Sequence, residues 1–261
     1  TEKVALLNNF GGEPYHRTSF TLCSPSIHEL SVVASSIAKA AIARLDLTVH
    51  QATHPRLGVV DHISCHPLGV SASLGEAASL AHAIGSCVGG GPHPAPTFLY
   101  GAADGGGRRL ADLRRAFGYF DGAAGGQWSG AIRGSEALRA DFGPTDVDER
   151  VGIVAVGATP WVVNFNVLLN STDMTLGRSI SKAVSQRGGG LPAVESMALR
   201  HTGGLIEVAC NLLDYKISGP DAVLKRVTEL AATEGVEVKQ WYEIGKPVDV
   251  MIQMAAETLR L

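Results

Sequence analysis

His54, Arg56 and Asp61 place an imidazole, a guanidinium and a carboxylate within eight residues. Pro55 and Gly58 stand between them and break regular structure, so the three side chains belong to a constrained loop. The apolar Val59, Val60 and Ile63 predict a strand immediately beyond, over about residues 59–66. An imidazole can take up and return a proton near neutral pH. A guanidinium presents paired N–H donors to a carboxylate. Together they suit proton transfer on a carboxylate-bearing substrate. By residue type alone, a loop histidine that merely caps or packs fits equally well.

Other chemistries fit less well. His50, His54, His62 and His66, with Cys65, resemble metal ligands at first sight. An HxxxH pair shares one face only on a helix, and Pro55, Pro67 and the strand-like run between them argue against one, so no metal site is expected. Cys23, Cys65, Cys87 and Cys210 are scattered and form no CxxC pair. That predicts no disulfide framework and a reducing, cytoplasmic setting, with organellar targeting upstream of Thr1 left open. Gly101-x-x-x-Gly105 lacks the Lys-Ser/Thr of a phosphate-binding loop. Arg108, Arg109, Arg114 and Arg115 read first as a solvated helix face and second as a landing site for an anionic tail.

The chain has 261 residues, 45% hydrophobic and 18% charged, with 31 glycines, which fits one large or two small globular domains. A net charge of −3 gives no electrostatic reason to bind nucleic acid. No apolar run reaches the roughly 18 residues of a membrane span, and the opening residues carry no signal-peptide pattern.

Val4–Leu7 and Thr18–Leu22 read as short strands on either side of a turn marked by Gly11-Gly12 and Pro14. Ser26 and Glu29 predict a capping box opening a helix over 27–45. A second helix is expected from Ser71 or Ser73 to the glycines at 89–91, then a strand over 97–100 and a short helix over 108–117. Residues 101–150 are otherwise glycine-rich, with Gly105-Gly106-Gly107 and Gly125-Gly126. The last third reads as a strand over 161–169, a helix over 174–187, strands over 193–200 and 205–213, a helix opening at Pro220 and a strand from Val236. That order, β-α-β-β-α-β, is the ferredoxin-like split unit, and the first third gives pieces of a similar unit with an altered start.

Five motifs carry a family resemblance: His54-Pro55-Arg56-Leu57-Gly58 with Asp61, Leu99-Tyr100-Gly101, Asp141-Phe142-Gly143-Pro144, Phe165-Asn166-x-x-Leu169 and Asn211-Leu212-Leu213-Asp214. In this order and spacing the chain resembles the formiminotransferase domain of formiminotransferase-cyclodeaminase, the folate enzyme of histidine breakdown. The resemblance implies an α/β (α+β) fold of two ferredoxin-like subdomains, over 1–158 and 159–261, with mixed or antiparallel sheets, packed helices and a folate-binding cleft between them. It implies transfer of a formimino group from N-formimino-L-glutamate to N5 of tetrahydrofolate, which serves as co-substrate without a metal. It implies His54 as general acid/base; by its chemistry Asp61 is suited to orient that imidazole or balance its charge. The substrate and folate contacts it implies are His50, Arg56, Gly143, Pro144, Gly152 and Asn166, the stretch from Gly143 to Gly152 being the folate-contacting one. The expected partners are small molecules, with no nucleic acid and no membrane; a homodimer is left open.

The departures set the alternative. The family's Asp-x-Asp pair is matched by Asn8 and Phe10, and the Asn before Arg17-Thr18 by His16. The folate stretch is more acidic, with Asp146, Asp148 and Glu149. The family's Asn-Phe-Ser-Glu-Gly run and its cyclodeaminase domain have no counterpart in these residues. A retained imidazole with two absent carboxylates leaves open a non-catalytic or repurposed folate-binding protein on the same scaffold. An interaction protein with an empty cleft is a third, blander reading.

Overall fold

The computed structural model describes residues 3–120 and 138–260; Gly125 and Gly126 lie outside them. The class is α+β: parallel and antiparallel sheets occur together with helices. The chain divides into two compact units. The first is Thr1–Asn9, Phe20–Thr159 and Val248–Leu261; the second is Phe10–Ser19 and Pro160–Pro247. Among the described residues no helix is long and apolar enough to cross a membrane.

Strands β1 (Ala5–Gly12) and β2 (Arg17–Cys23) form a hairpin sheet. The turn expected at Gly11, Gly12 and Pro14 is a 3-10 turn over Glu13–Tyr15 that contains Pro14, while the two glycines end β1. His16 closes it in the left-handed region, φ 49°. Asparagine tolerates that conformation well, which explains why an Asn-Arg-Thr run suits this corner; here histidine adopts it.

In the first unit follow α1 (Ile27–Arg44), β3 (His62–Cys65), α2 (Leu74–Gly89), β4 (Thr97–Gly101), α3 (Leu110–Ala116) and β5 (Val154–Ala158). The capping box expected at Ser26 is half made. Ser26 Oγ accepts the Glu29 N–H, but the Glu29 carboxylate is taken by Lys3 Nζ at 2.6 Å. The complete box lies at Ser73 and Glu76, opening α2. The sheet order is β3-β5-β4 and every pairing is parallel. This unit therefore departs from a ferredoxin-like sheet, because β5 inserts between two strands that helices already separate. One sheet face packs Val154, Val156, Ala158 and Leu99 against Ile42 of α1 and Ala81, Ile84 and Val88 of α2. The other face carries a row of register partners, Ser64, Gly157 and Tyr100. A side chain at 157 would collide with the Tyr100 ring, its Cβ 2.4 Å from the ring carbon. Glycine there lets Tyr100 lie across the central strand and bond the Ser64 hydroxyl.

The second unit is β6 (Val163–Leu169), α4 (Met174–Val184), β7 (Val194–Arg200), β8 (Ile206–Leu212), α5 (Pro220–Thr233) and β9 (Val238–Ile244). Its antiparallel sheet runs β7-β8-β6-β9, so the predicted split β-α-β-β-α-β unit is observed. Phe165, Val167 and Leu169 meet α4 and α5, and the alternate residues, Asn166 among them, take the opposite face. Helix α6 (Val248–Leu259) belongs to the first unit and buries Met251, Ala255 and Leu259 at helical spacing. Neither β5 nor α6 was among the elements read from sequence.

The loop of His54 is fixed by a crossing of two backbones at Gly58 and Gly152, which form an isolated antiparallel bridge. Val59 N–H donates to Val151 O at 2.9 Å and Ile153 N–H to Leu57 O at 3.0 Å. A Cβ at Gly58 would stand 2.3 Å from Ile153 O; one at Gly152, whose φ is +73°, would stand 2.4 Å from Leu57 O. Replacing Gly152 by alanine is expected to destabilise the protein by about 2–4 kcal/mol through combined conformational and steric cost. Chemical denaturation measures this, and a loss within experimental error would show that the crossing is dispensable.

Candidate active site

Asp61 is the hub of the first unit's polar cluster. Its Oδ1 accepts the Leu57 N–H at 2.7 Å, closing the loop that begins at His54. Its Oδ2 accepts from Arg114 Nη2 of α3 at 3.1 Å and from His62 Nδ1 at 3.0 Å. Carboxylate oxygens only accept, so His62 carries its proton on Nδ1. Arg114 Nη2 also stands 3.3 Å from that nitrogen, but a guanidinium cannot donate to an N–H, and the carboxylate takes its proton. Arg114 lies with its guanidinium carbon 4.5 Å from the Tyr119 ring centroid, a cation–π contact. Burial opposes the Arg114 charge, yet Tyr119, Asp61 and Tyr100 outweigh it and raise the pKa above the ordinary arginine value. Tyr100 itself is pushed up to about 12, chiefly by burial.

His54 Nδ1 lies 2.8 Å from Pro55 O. A carbonyl can only accept, so this contact puts the proton on Nδ1 and the lone pair on Nε2, the tautomer of a general base. The ring packs edge-on to Tyr119, centroids 6.3 Å apart. Asp61 holds Leu57, Arg114 and His62, and the Pro55 carbonyl takes the Nδ1 proton of His54. Arg56 is buried, and its Nη2 donates to the His50 carbonyl at 2.5 Å. Burial lowers the Arg56 pKa and the charge of Asp61 pulls it back up. His50 thus contributes its backbone to the loop.

Gly143 and Pro144 follow a segment that docks on β4. Phe142 O accepts the Thr97 N–H at 2.9 Å, Asp141 Oδ2 accepts the Leu99 N–H at 2.8 Å, and Arg108 pairs with Asp141 at 3.1 Å. Gly143 has φ +89°, and a Cβ there would stand 2.6 Å from Ala95 O and 3.1 Å from Gly89 Cα at the end of α2. The four arginines around α3 all meet carboxylates of the chain: Arg108 with Asp104 and Asp141, Arg109 and Arg115 with Asp112, and Arg114 with Asp61. The acidic side chains of the 143–152 stretch, Asp146, Asp148 and Glu149, are exposed to solvent.

The first 159 residues match the model of the formiminotransferase domain, N-terminal subdomain. This chain belongs to the formiminotransferase family. It is similar to the formiminotransferase cyclodeaminase-like protein of Arabidopsis thaliana, 37% identical over 98% of this chain and 88% of that protein. It is also similar to the glutamate formimidoyltransferase of Thermoplasma acidophilum, 28% identical over 95% and 80% of the two chains. The namesake enzyme of Streptococcus pyogenes serotype M1 is 24% identical over 99% and 84%.

Of the residues expected to form the formiminotransferase site, the first unit brings His50, His54, Arg56, Asp61 and Gly152 together through one loop and its crossing. Asn166 belongs to the second unit, buried beside a carboxylate the sequence reading passed over. Glu207 of β8 is fully buried. Its Oε1 accepts from Tyr15 Oη at 2.6 Å and Asn166 Nδ2 at 2.7 Å; its Oε2 accepts from Tyr242 Oη at 2.7 Å. A lone glutamate inside Leu205-Ile206-Glu207-Val208-Ala209-Cys210 was the available signal. Arg114, His62 and Tyr119 gave none beyond composition. Among the described residues no group of three His, Cys, Asp or Glu could hold a metal ion, and all four cysteines are free. Burial pushes the Cys65 and Cys210 thiols up to about 12, which keeps them protonated and poor nucleophiles.

Asp61→Ala would leave the Arg114 charge buried without its carboxylate. A loss of about 3–5 kcal/mol is expected. Urea denaturation of Asp61→Ala beside the double variant Asp61→Ala/Arg114→Met checks this. The double variant should recover part of the loss, and equal loss in both would separate Asp61 from Arg114 energetically.

Proposed function

We propose that this protein transfers the formimino group of N-formimino-L-glutamate to N5 of tetrahydrofolate, with His54 as general acid/base. The observation that carries the reading is the 2.8 Å contact of His54 Nδ1 with Pro55 O: a carbonyl only accepts, which assigns the proton to Nδ1 and the accepting lone pair to Nε2. Family membership and the names of the bacterial and archaeal relatives support the reaction class. N5 attacks the formimino carbon, and its proton passes to Nε2. The carbon–nitrogen bond to glutamate breaks as Nε2 returns that proton to the departing nitrogen. The proton count closes, and no metal or redox partner is required. Arg56 is suited to a substrate carboxylate, with His50 holding the guanidinium in place. Gly143, Pro144 and Gly152 shape the folate-contacting stretch, and Asn166 would contact substrate from β6. Asp61 acts here as the anchor of the loop and of Arg114.

A second reading, folate binding without transfer, is favoured by one observation: apolar Phe10 and neutral Asn8 stand where the family carries two carboxylates. Calorimetric titration with tetrahydrofolate and folinate, followed by a formimino-transfer assay, separates the two. The transferase reading expects binding, turnover and a drop of about two to four orders of magnitude in His54→Ala with binding retained. Binding without turnover in the unaltered protein selects the second reading, and turnover untouched in His54→Ala would overturn the role of the imidazole.

A further inference from the structure

Asn166 of β6 has Ala209 of β8 and Tyr242 of β9 as its register partners, and Glu207 stands diagonally across from it on β8. Asn166 and Glu207 are both buried, and both belong to the second unit. Asn166 Nδ2 lies 2.7 Å from Glu207 Oε1 and 3.4 Å from Tyr242 Oη.

Those two neighbours decide which way the amide points. A carboxylate oxygen only accepts. The Tyr242 phenol gives its one proton to Glu207 Oε2 at 2.7 Å, so towards Asn166 it accepts as well. The nitrogen is therefore held between two acceptors, and both of its N–H groups are committed. Turned over, the amide would bring Oδ1 to the same 2.7 Å from the carboxylate, acceptor against acceptor. Tyr15 donates to the same Glu207 oxygen at 2.6 Å and so pins the carboxylate. Burial, followed by Glu207, raises both phenol pKa values, which keeps those protons in place. Among the described residues Asn166 Oδ1 accepts no hydrogen bond. Towards a ligand Asn166 thus has one group to offer, an acceptor. A substrate carboxylate cannot bond to it, and an N–H can. Both substrates of the proposed reaction carry such donors, the amidine of formiminoglutamate and the ring nitrogens of tetrahydrofolate.

We infer that Glu207 is a positioning residue that locks the Asn166 amide with Oδ1 as an obligate acceptor, so that Asn166 recognises an N–H donor of the substrate and not its carboxylates. The inference rests on the reading of Asn166 as a substrate contact and adds the direction of its bond and the residue that sets it.

Calorimetric titration of the whole chain, with tetrahydrofolate and N-formimino-L-glutamate as separate probes, supplies the test. Asn166→Ala should weaken binding of one probe about tenfold, the worth of one hydrogen bond, and that probe carries the donor. Glu207→Leu, which frees the amide to turn, should weaken the same probe by a similar factor. Because Glu207 acts through Asn166, the two changes together should cost no more than either alone. Where Glu207→Leu does not fold, the inverted pair Asn166→Asp/Glu207→Gln decides. The glutamine amide then donates to the new carboxylate, whose other oxygen restores the acceptor, and binding should return to within about threefold of the unaltered protein or become tighter. Unchanged binding of both probes in Asn166→Ala, losses that multiply to about a hundredfold in the double variant, or an inverted pair as weak as Asn166→Ala would each overturn the assignment. Turnover of the unaltered protein is assayed alongside: its absence with these affinity changes intact sinks the transfer reaction alone, whereas turnover with Asn166→Ala binding unchanged sinks this inference alone.

Discussion

One carboxylate organises the first unit. Asp61 reaches back along its own loop to the Leu57 amide, forward to His62 and across to Arg114 on α3. These tie a loop and the strand that directly follows it to a helix 53 residues further along the chain. The cost of burying two charges is met because the carboxylate is bonded on both oxygens, and the guanidinium gains an aromatic face as well. Without it the loop that presents His54 would keep the Gly58–Gly152 crossing and the Arg56–His50 bond but lose its ion pair with α3.

The second unit solves a comparable problem with neutral partners. Glu207 has no buried guanidinium beside it; three donors from Tyr15, Asn166 and Tyr242 satisfy it, and His201 stands 3.9 Å away. The hairpin tip supplies Tyr15, and that tip, Phe10–Ser19, is grouped with residues 160–247 while the rest of the ribbon is not. A satisfied polar network of this kind fixes one arrangement of side chains more sharply than an apolar core would.

Much of this was legible in the sequence, and the gaps have physical causes. The helices of 27–44, 74–89, 174–184 and 220–233 announced themselves by apolar spacing and caps. The split unit followed from element order alone. β5 escaped because a fully buried parallel strand has no alternation to detect, and its short run lies between Gly152 and Pro160. The His54 loop was legible because proline and glycine bracket reactive residue types. What the loop does internally was not: the assignment of Asp61 to Arg114 and His62 depends on α3 folding onto the far face of the sheet, a long-range fact. Arg114 sits in a run of arginines, and nothing local distinguishes it from its solvated neighbours Arg109 and Arg115. Glu207 was readable in principle, since a carboxylate centred in an apolar strand demands donors.

The position of β5 ties the readiness of the loop to the order in which the chain can fold. β5 is the central strand, yet it is the last of the three in sequence. Until it arrives, β3 and β4 have no hydrogen-bonded partner in the sheet. Gly152 lies two residues ahead of it and docks on Gly58 in the same step. Closing so long a loop is entropically costly, so sheet and crossing form late and together. The same coupling runs in reverse: releasing the His54 loop from its crossing frees the chain two residues ahead of the central strand.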